Sequence, residues 1–279
     1  MKEIKASKIT AAVIELVKRA NFSLRIDVLS ALRKAYISER NKRVKKLLKA
    51  IVDNAALAAK ESLAICQDTG MPVVFVEVGQ DLKIIGDLKK AINQGIQEGY
   101  KKYSLRNSIV VNPLLRGGAG FSPGVIHLDL VMGNKIKITL LPKGFGCENK
   151  SQLKMFEPTA KIEEIKEFIV AAVKNAGCDA CPPYVVGVGV GGTADYASIL
   201  AKKALLKKFT AYRLPLTAIG KLEKSLLFAI NKLNIGPMGL GGKTTALAVN
   251  ILTYPTHIAG LPVSVNISCH ALRSATIIL

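Results

Sequence analysis

Apolar residues recur at three- and four-residue spacing from Ile9 to Ala20 and again from Asp27 to about Glu61, where Val28, Leu32, Ala35, Val44, Leu47, Leu48 and Ile51 line one face. That period predicts amphipathic helices, with Asp27 placed as N-cap of the second segment, so residues 1–62 read as a helical region. The pattern then changes. Val73 to Val78 is short and rich in β-branched residues, which predicts a buried strand. Helical spacing returns over Leu88 to Tyr103 and over Ile162 to Asn175, the latter closed by Gly177. A polar cluster from Leu105 leads into a short strand ending near Pro113, before glycine-rich Gly117 to Gly120. Alternation over His127 to Met132 and Lys135 to Leu140, around Gly133-Asn134, predicts a two-stranded antiparallel hairpin and puts His127 on a strand. Val185 to Gly192 reads as a glycine-studded strand entering a helix opened by Thr193. A helix over Lys221 to Leu233 then precedes strands over Ala246 to Leu252 and Leu261 to Ile267. Ser274 to Leu279 is an apolar tail poorly suited to solvent. No linker, low-complexity tract or repeat intervenes. The expectation is one domain over residues 1–279, of mixed α/β (α+β) class, with mostly antiparallel sheets flanked by helices and glycine-rich loops carrying polar groups.

Composition narrows the setting. No apolar run approaches the roughly 20 residues of a bilayer span, and Met1-Lys2-Glu3-Ile4-Lys5 lacks the apolar stretch of a secretory signal, so the expected location is cytoplasmic with no membrane partner. Five cysteines at irregular spacing do not make a disulfide framework, which leaves them available for metal or catalysis. Forty Lys and Arg against twenty Asp and Glu give a net charge of +20, a field that attracts anionic substrates, acidic partners or nucleic acid. One reading from a different class is therefore a basic, metal-stapled nucleic-acid-binding protein. The absence of Trp, an aromatic content of 5% and lysines spread over helix faces argue for no nucleic-acid partner.

Two glycine motifs invite nucleotide readings and fail them. Gly187, Gly189 and Gly192 satisfy G-x-G-x-x-G between a strand and a helix, but no acidic residue follows between Asp195 and Glu223 to hold a ribose. Gly242-Lys243-Thr244 resembles the end of a phosphate loop, yet Pro237 stands where its first glycine belongs and a strand follows. The cysteines are more informative. Cys66-Gln67-Asp68-Thr69-Gly70 sets a thiol, an amide, a carboxylate and a hydroxyl on one loop between a helix and a strand. Cys178 and Cys181 have the spacing of half a zinc knuckle or of a redox pair, but no second pair completes the knuckle, and Pro182-Pro183 stands where the helix of a redox motif would start. An iron–sulfur cluster accepts thiolates from separate loops, and three of them leave one iron open as a Lewis acid.

Cys66 to Gly70, Lys143-Gly144-Phe145-Gly146 with Glu148-Asn149, Ala180-Cys181-Pro182-Pro183, Gly191-Gly192-Thr193, Gly241-Gly242-Lys243 and Ser268-Cys269 together resemble the iron–sulfur-dependent class I fumarate hydratases and their L(+)-tartrate dehydratase relatives. The resemblance runs in order from about residue 10 to the C-terminus and covers the cluster-bearing part, in some members a separate alpha subunit. It implies a [4Fe-4S] cluster held by Cys66, Cys181 and Cys269, with Gln67, Asp68, Arg106, Gly144 and Gly146 around a hydroxy-dicarboxylate, Asp68, Gln67 and Arg106 of these also catalytic, and Cys147 and Cys178 as spare thiols. The reaction it implies is hydration of fumarate to malate, with dehydration of L(+)-tartrate as the alternative. It further implies a separate beta subunit, in an α2β2 assembly, that supplies the catalytic base and more of the site.

Overall fold

The computed structural model describes residues 2–209 and 217–279. In chain order the elements are β1 (Lys2–Lys5), α1 (Ala6–Phe22), α2 (Ile26–Ser38), α3 (Lys42–Glu61), β2 (Met71–Gly79), β3 (Leu82–Ile85), α4 (Leu88–Lys102), β4 (Ile109–Asn112), β5 (Arg116–Gly120), β6 (Val125–Val131) and β7 (Ile136–Lys143). There follow the single turn α5 (Phe145–Glu148), β8 (Gln152–Phe156), α6 (Ile162–Ala176), β9 (Tyr184–Gly192), α7 (Ala194–Ala204), α8 (Ala218–Asn231), β10 (Ala246–Thr256), β11 (Leu261–Ser268) and β12 (Ala275–Ile278). The class is mixed α/β, as the patterning predicts. No helix among the described residues is long and apolar enough to cross a membrane.

Helix α2 starts one residue before Asp27, so Asp27 lies in the first turn and does not cap it; its carboxylate accepts the Phe209 N–H instead. The long helical stretch is broken at Glu39–Asn41. Glu39 turns its carboxylate back onto the amides of Arg40 and Asn41, and the Asn41 side chain accepts the Arg43 and Val44 N–H groups that open α3.

Two compact units result, the first made of the chain up to Arg25, Ala55–Phe145 and Arg273–Leu279, the second of Ile26–Asn54 and Gly146–Leu272. In the first, a four-stranded sheet of order β12-β7-β2-β6 buries Val74, Val76, Ile138 and Leu140 against Ile9, Val13 and Leu16 of α1 and Ile92 and Ile96 of α4. The predicted hairpin does not form. β2 lies between its arms, parallel to β6 (Val73↔Val125) and antiparallel to β7 (Met71↔Lys143). The Gly133-Asn134 link passes over the end of β2, where Gly79 N–H donates to Lys135 O at 2.8 Å and Asp81 N–H to Gly133 O at 2.9 Å. Alternation reports which face a side chain takes and says nothing about the neighbouring strand; β2, apolar from Met71 to Val76, is the strand that needs a central place. The apolar C-terminal tail is withdrawn from solvent, in keeping with its composition: β12 pairs antiparallel with β7, and Ile277 and Leu279 pack on the core.

The second unit carries a sheet of order β10-β9-β11-β8, with β9 and β10 parallel and the other pairs antiparallel. One core joins Ile165, Ile169 and Val173 of α6 and Leu226 and Ile230 of α8 to Val186, Val188, Val249 and Val265. Helix α7 lies directly on β9, so closely that a Cβ on Gly189 would stand 2.0 Å from the Ala197 carbonyl oxygen and one on Gly187 2.1 Å from that of Ala201. The glycine spacing that imitates a dinucleotide motif is thus a helix-on-strand packing requirement.

Candidate functional site

Strand register brings the motif residues of the first unit together. Met71 pairs with Lys143 across β2 and β7, so the loop entering β2, Cys66 to Gly70, lies beside the loop leaving β7, Lys143 to Phe145. Ala275 pairs with Leu140, which puts Arg273, two residues before β12, at the same end. Gly70 has φ +73°, and a Cβ there would stand 2.8 Å from the Lys143 nitrogen; only glycine lets the two backbones approach this closely.

Asp68 joins the two loops. Its Oδ1 accepts the Gly70 N–H and its Oδ2 the Phe145 N–H, each at 2.9 Å. A Cβ on Gly144 would come within 3.1 Å of the same Oδ2. Arg273, buried, donates from Nη2 to the Asp68 carbonyl. Thr69 Oγ1 accepts the Arg106 N–H at 3.1 Å, which fixes the Arg106 backbone beside the loop while its exposed guanidinium reaches the Gln67 carbonyl at 3.5 Å. Tyr100 of α4 donates to the Thr69 carbonyl at 2.9 Å, and its burial pushes the phenol well above the ordinary tyrosine range. Cys66, half-buried, directs its thiol at the Gln67 side-chain oxygen at 3.3 Å. Cys66, Gln67, Asp68, Arg106 and Gly144 therefore share one end of one sheet. Arg273 and Tyr100 escaped the sequence reading: one looks like a charge in an apolar tail, the other like a stripe position of an amphipathic helix.

The same logic operates in the second unit. Ser268 pairs with Val185 across β11 and β9, so Cys269 and His270, just past β11, meet the Cys181 turn just before β9. The Cys181 carbonyl lies 3.4 Å from the donating His270 N–H and 3.0 Å from His270 Nδ1. Cys181 has φ +56°, a left-handed conformation for a residue with a side chain, held where its neighbours over-determine it. Cys147 is buried and donates its S–H to the Ala180 carbonyl at 3.2 Å, whereas Cys178 is exposed beside its own neighbour Asp179. Gly146 is exposed at the start of this unit. Glu148 is held by Lys202 and by Asn266 Nδ2 at 3.0 Å. Lys243 N–H donates to Glu39 and its ammonium to the Ser38 carbonyl, so the Gly242-Lys243-Thr244 loop is occupied by its own chain.

At the carboxyl ends of the parallel strands β9 and β10 is a cavity of about 390 Å³ lined by Gly192, Thr193, Asp195, Tyr254, Thr256 and His257, the position where parallel α/β units take ligands. The Thr193 hydroxyl donates to Asp195 and holds its carboxyl below the usual range. His257 Nδ1 accepts the Ala259 N–H at 3.2 Å, which leaves the proton of the neutral ring on Nε2.

None of the five cysteines is in a disulfide, and Cys66, Cys181 and Cys269 are all partly exposed on loops. Among the described residues, no three His, Cys, Asp or Glu side chains form a group that could hold a metal ion. As a donor set, three accessible thiols from three loops suit an iron–sulfur cluster better than zinc, because no second ligand pair accompanies them.

Comparison with known proteins places this architecture. A protein of Methanocaldococcus jannaschii provisionally named L(+)-tartrate dehydratase subunit alpha is 42% identical over 276 residues, 96% of each chain. The L(+)-tartrate dehydratase subunits alpha of Escherichia coli O157:H7 and K12 are 28% and 27% identical, with 100% of this chain and 93% of theirs covered. The family model described as Fumarate hydratase (Fumerase) matches residues 10–278, and the chain belongs to that family.

Proposed function

We propose that this chain is the cluster-bearing subunit of a hydro-lyase that hydrates fumarate reversibly to malate. The observation that carries the reading is the clamp made by Asp68 between the Cys66–Gly70 and Lys143–Phe145 loops, with Arg106 fixed alongside through Thr69, in a chain of the fumarate hydratase family. Cys66, Cys181 and Cys269 would hold a [4Fe-4S] cluster, whose iron lacking a protein thiolate supplies Lewis-acid chemistry to a hydroxyl and an adjacent carboxylate.

The protein groups do the rest. Arg106 binds one substrate carboxylate with a planar fork of donors, and backbone amides at Gly144 and Gly146 receive the other. Gln67 offers both a donor and an acceptor to the substrate hydroxyl. Asp68, locked by two amides, orients that loop. The proton removed from carbon needs a positioned base. The relatives are named as alpha subunits, which supports a separate beta subunit, in an α2β2 assembly, contributing the base and further carboxylate-binding groups. A cytoplasmic location belongs to the same reading, since reduced thiols are the form that binds iron.

L(+)-tartrate dehydration to oxaloacetate is the second reading, and the names of the relatives favour it. The test is anaerobic reconstitution with iron and sulfide, followed by assay of the chain alone and with a candidate beta subunit, on fumarate, malate and L(+)-tartrate. The expected result is an inactive lone chain that the partner activates on fumarate. A higher kcat/KM on tartrate selects the second reading, full activity of the lone chain refutes the two-subunit assembly, and inactivity of the assembled pair on all three refutes the hydro-lyase.

A further inference from the structure

Among the described residues, strands β4 and β5 pair only with each other, in a hairpin whose base is fixed by the buried Ile109 and by the Asn107 amide donating to the Ala119 carbonyl at 3.3 Å. The tip is ordered by its own side chain: Asn112 Oδ1 accepts the N–H groups of Leu114 and Leu115 at 3.0 and 2.9 Å. This tip presents Val111, Leu114 and Leu115 at 82%, 90% and 83% exposure. A Cβ on Gly117 or Gly118 would meet nothing within 4 Å, so no part of the described chain covers that part of β5 beside the tip. A two-stranded ribbon with an apolar tip is marginal in water, and three large side chains held this exposed mark an interaction surface.

Charge selects the occupant. Between Glu98 and Asp129 the chain holds Lys101, Lys102, Arg106 and Arg116 and no acidic residue. A second copy docking hairpin to hairpin would set Arg116 against Arg116 in chains that each carry +20. We infer that the β4–β5 hairpin is the docking element for a different, acidic subunit, whose apolar recess takes Leu114 and Leu115 and whose acidic rim faces Arg116. This rests on the reading of the chain as one subunit of a two-subunit enzyme. The hairpin begins three residues after Arg106, so docking there orders the segment that carries the carboxylate-binding arginine.

The experiment measures binding of the purified candidate beta subunit to the intact chain by calorimetry, with activity assayed in parallel. Leu114→Asp with Leu115→Asp is expected to weaken the complex by roughly 100-fold or more, and the milder Leu114→Ser with Leu115→Ser by about 10-fold, with thermal unfolding of the free chain unchanged because these side chains touch no core. Arg116→Glu is expected to weaken binding at low salt, with the difference fading at high salt. Wild-type affinity in both double variants overturns the proposal while leaving the enzyme reading intact. Self-association of the wild-type chain in sedimentation, lost in the Leu114→Asp, Leu115→Asp variant, also overturns it by making the hairpin an interface between copies. A complex that depends on the hairpin but is inactive on every C4 dicarboxylate supports the docking site and refutes the hydro-lyase.

Discussion

Asp68 uses both carboxylate oxygens on backbone amides, one in its own loop and one in the loop leaving β7, so it acts as a clamp between two motifs 75 residues apart in sequence, as Asp68 and Lys143 stand. Hydrogen bonds to a charged group contribute about 1.5–3 kcal/mol each. Asp68→Ala is therefore expected to lower the urea-unfolding free energy by about 2–4 kcal/mol as well as activity, and Asp68→Asn, which keeps one acceptor oxygen, by about half as much. An alanine variant as stable as the parent refutes the clamp. Arg106 behaves differently, because its backbone N–H is tied to Thr69 while its exposed guanidinium makes one long contact, 3.5 Å, to the Gln67 carbonyl. Arg106→Lys is expected to leave the fold and metal content alone but to lower kcat/KM of the assembled enzyme by roughly 10- to 1,000-fold, since Lys keeps the charge and loses the two parallel bonds. Unchanged kinetics remove Arg106 from the site.

Helix α7 on β9 and the Glu39 turn show how elements hold the loops in place. Gly189→Ala puts a methyl 2.0 Å from a carbonyl oxygen of α7, where no rotamer relieves the clash, and is expected to destabilise the chain by about 3 kcal/mol or more in chemical denaturation. Wild-type stability means α7 stands off the strand. Glu39 is buried, which raises its pKa, but the amides of Asn41, Lys243 and Arg40 outweigh that effect and hold it below the ordinary carboxylate range. The stabilisation this lowered pKa provides is complete above the unfolded-state value of 4.5 and is lost as pH falls through the folded value. Glu39→Gln is expected to be less stable than the parent at neutral pH and to close that gap as pH drops below the carboxylate range; a gap independent of pH refutes the linkage. The main helices and strands β2, β4, β6, β7, β9, β10 and β11 were legible because period and turn residues report local geometry, whereas the short β1, β3, β5 and β8 carry too few alternating residues to stand out. Partnership was not: β2 splits the expected hairpin at Gly133-Asn134, and β12 turns an apolar tail into a sheet edge, because alternation in a strand carries no address for its neighbour. The motif cysteines could be picked out as loop residues, but the reason Cys181 meets His270 is the β9–β11 register, which sequence alone does not specify.

The whole chain distributes its five thiols over three kinds of environment. Cys147 is buried in a core and bonded to a carbonyl, Cys178 is exposed beside an aspartate, and Cys66, Cys181 and Cys269 are half-buried on loops next to the Asp68 clamp or the His270 contact. Burial in a core denies a thiol the open approach that metal ligation requires. Reconstituted under anaerobic conditions, the chain is expected to bind about four irons and to show broad visible absorbance that air bleaches, because an iron without a thiolate is exposed to oxidants. Cys66→Ser, Cys181→Ser and Cys269→Ser are each expected to abolish iron binding, with circular dichroism unchanged since each replacement is nearly isosteric. Cys147→Ser and Cys178→Ala are expected to retain iron: serine still donates to the Ala180 carbonyl, and Cys178 lies outside the triad. Loss of iron in Cys178→Ala but not in Cys181→Ser assigns Cys178, and not Cys181, to the cluster, and stoichiometric zinc without iron in the parent chain overturns the iron–sulfur reading altogether.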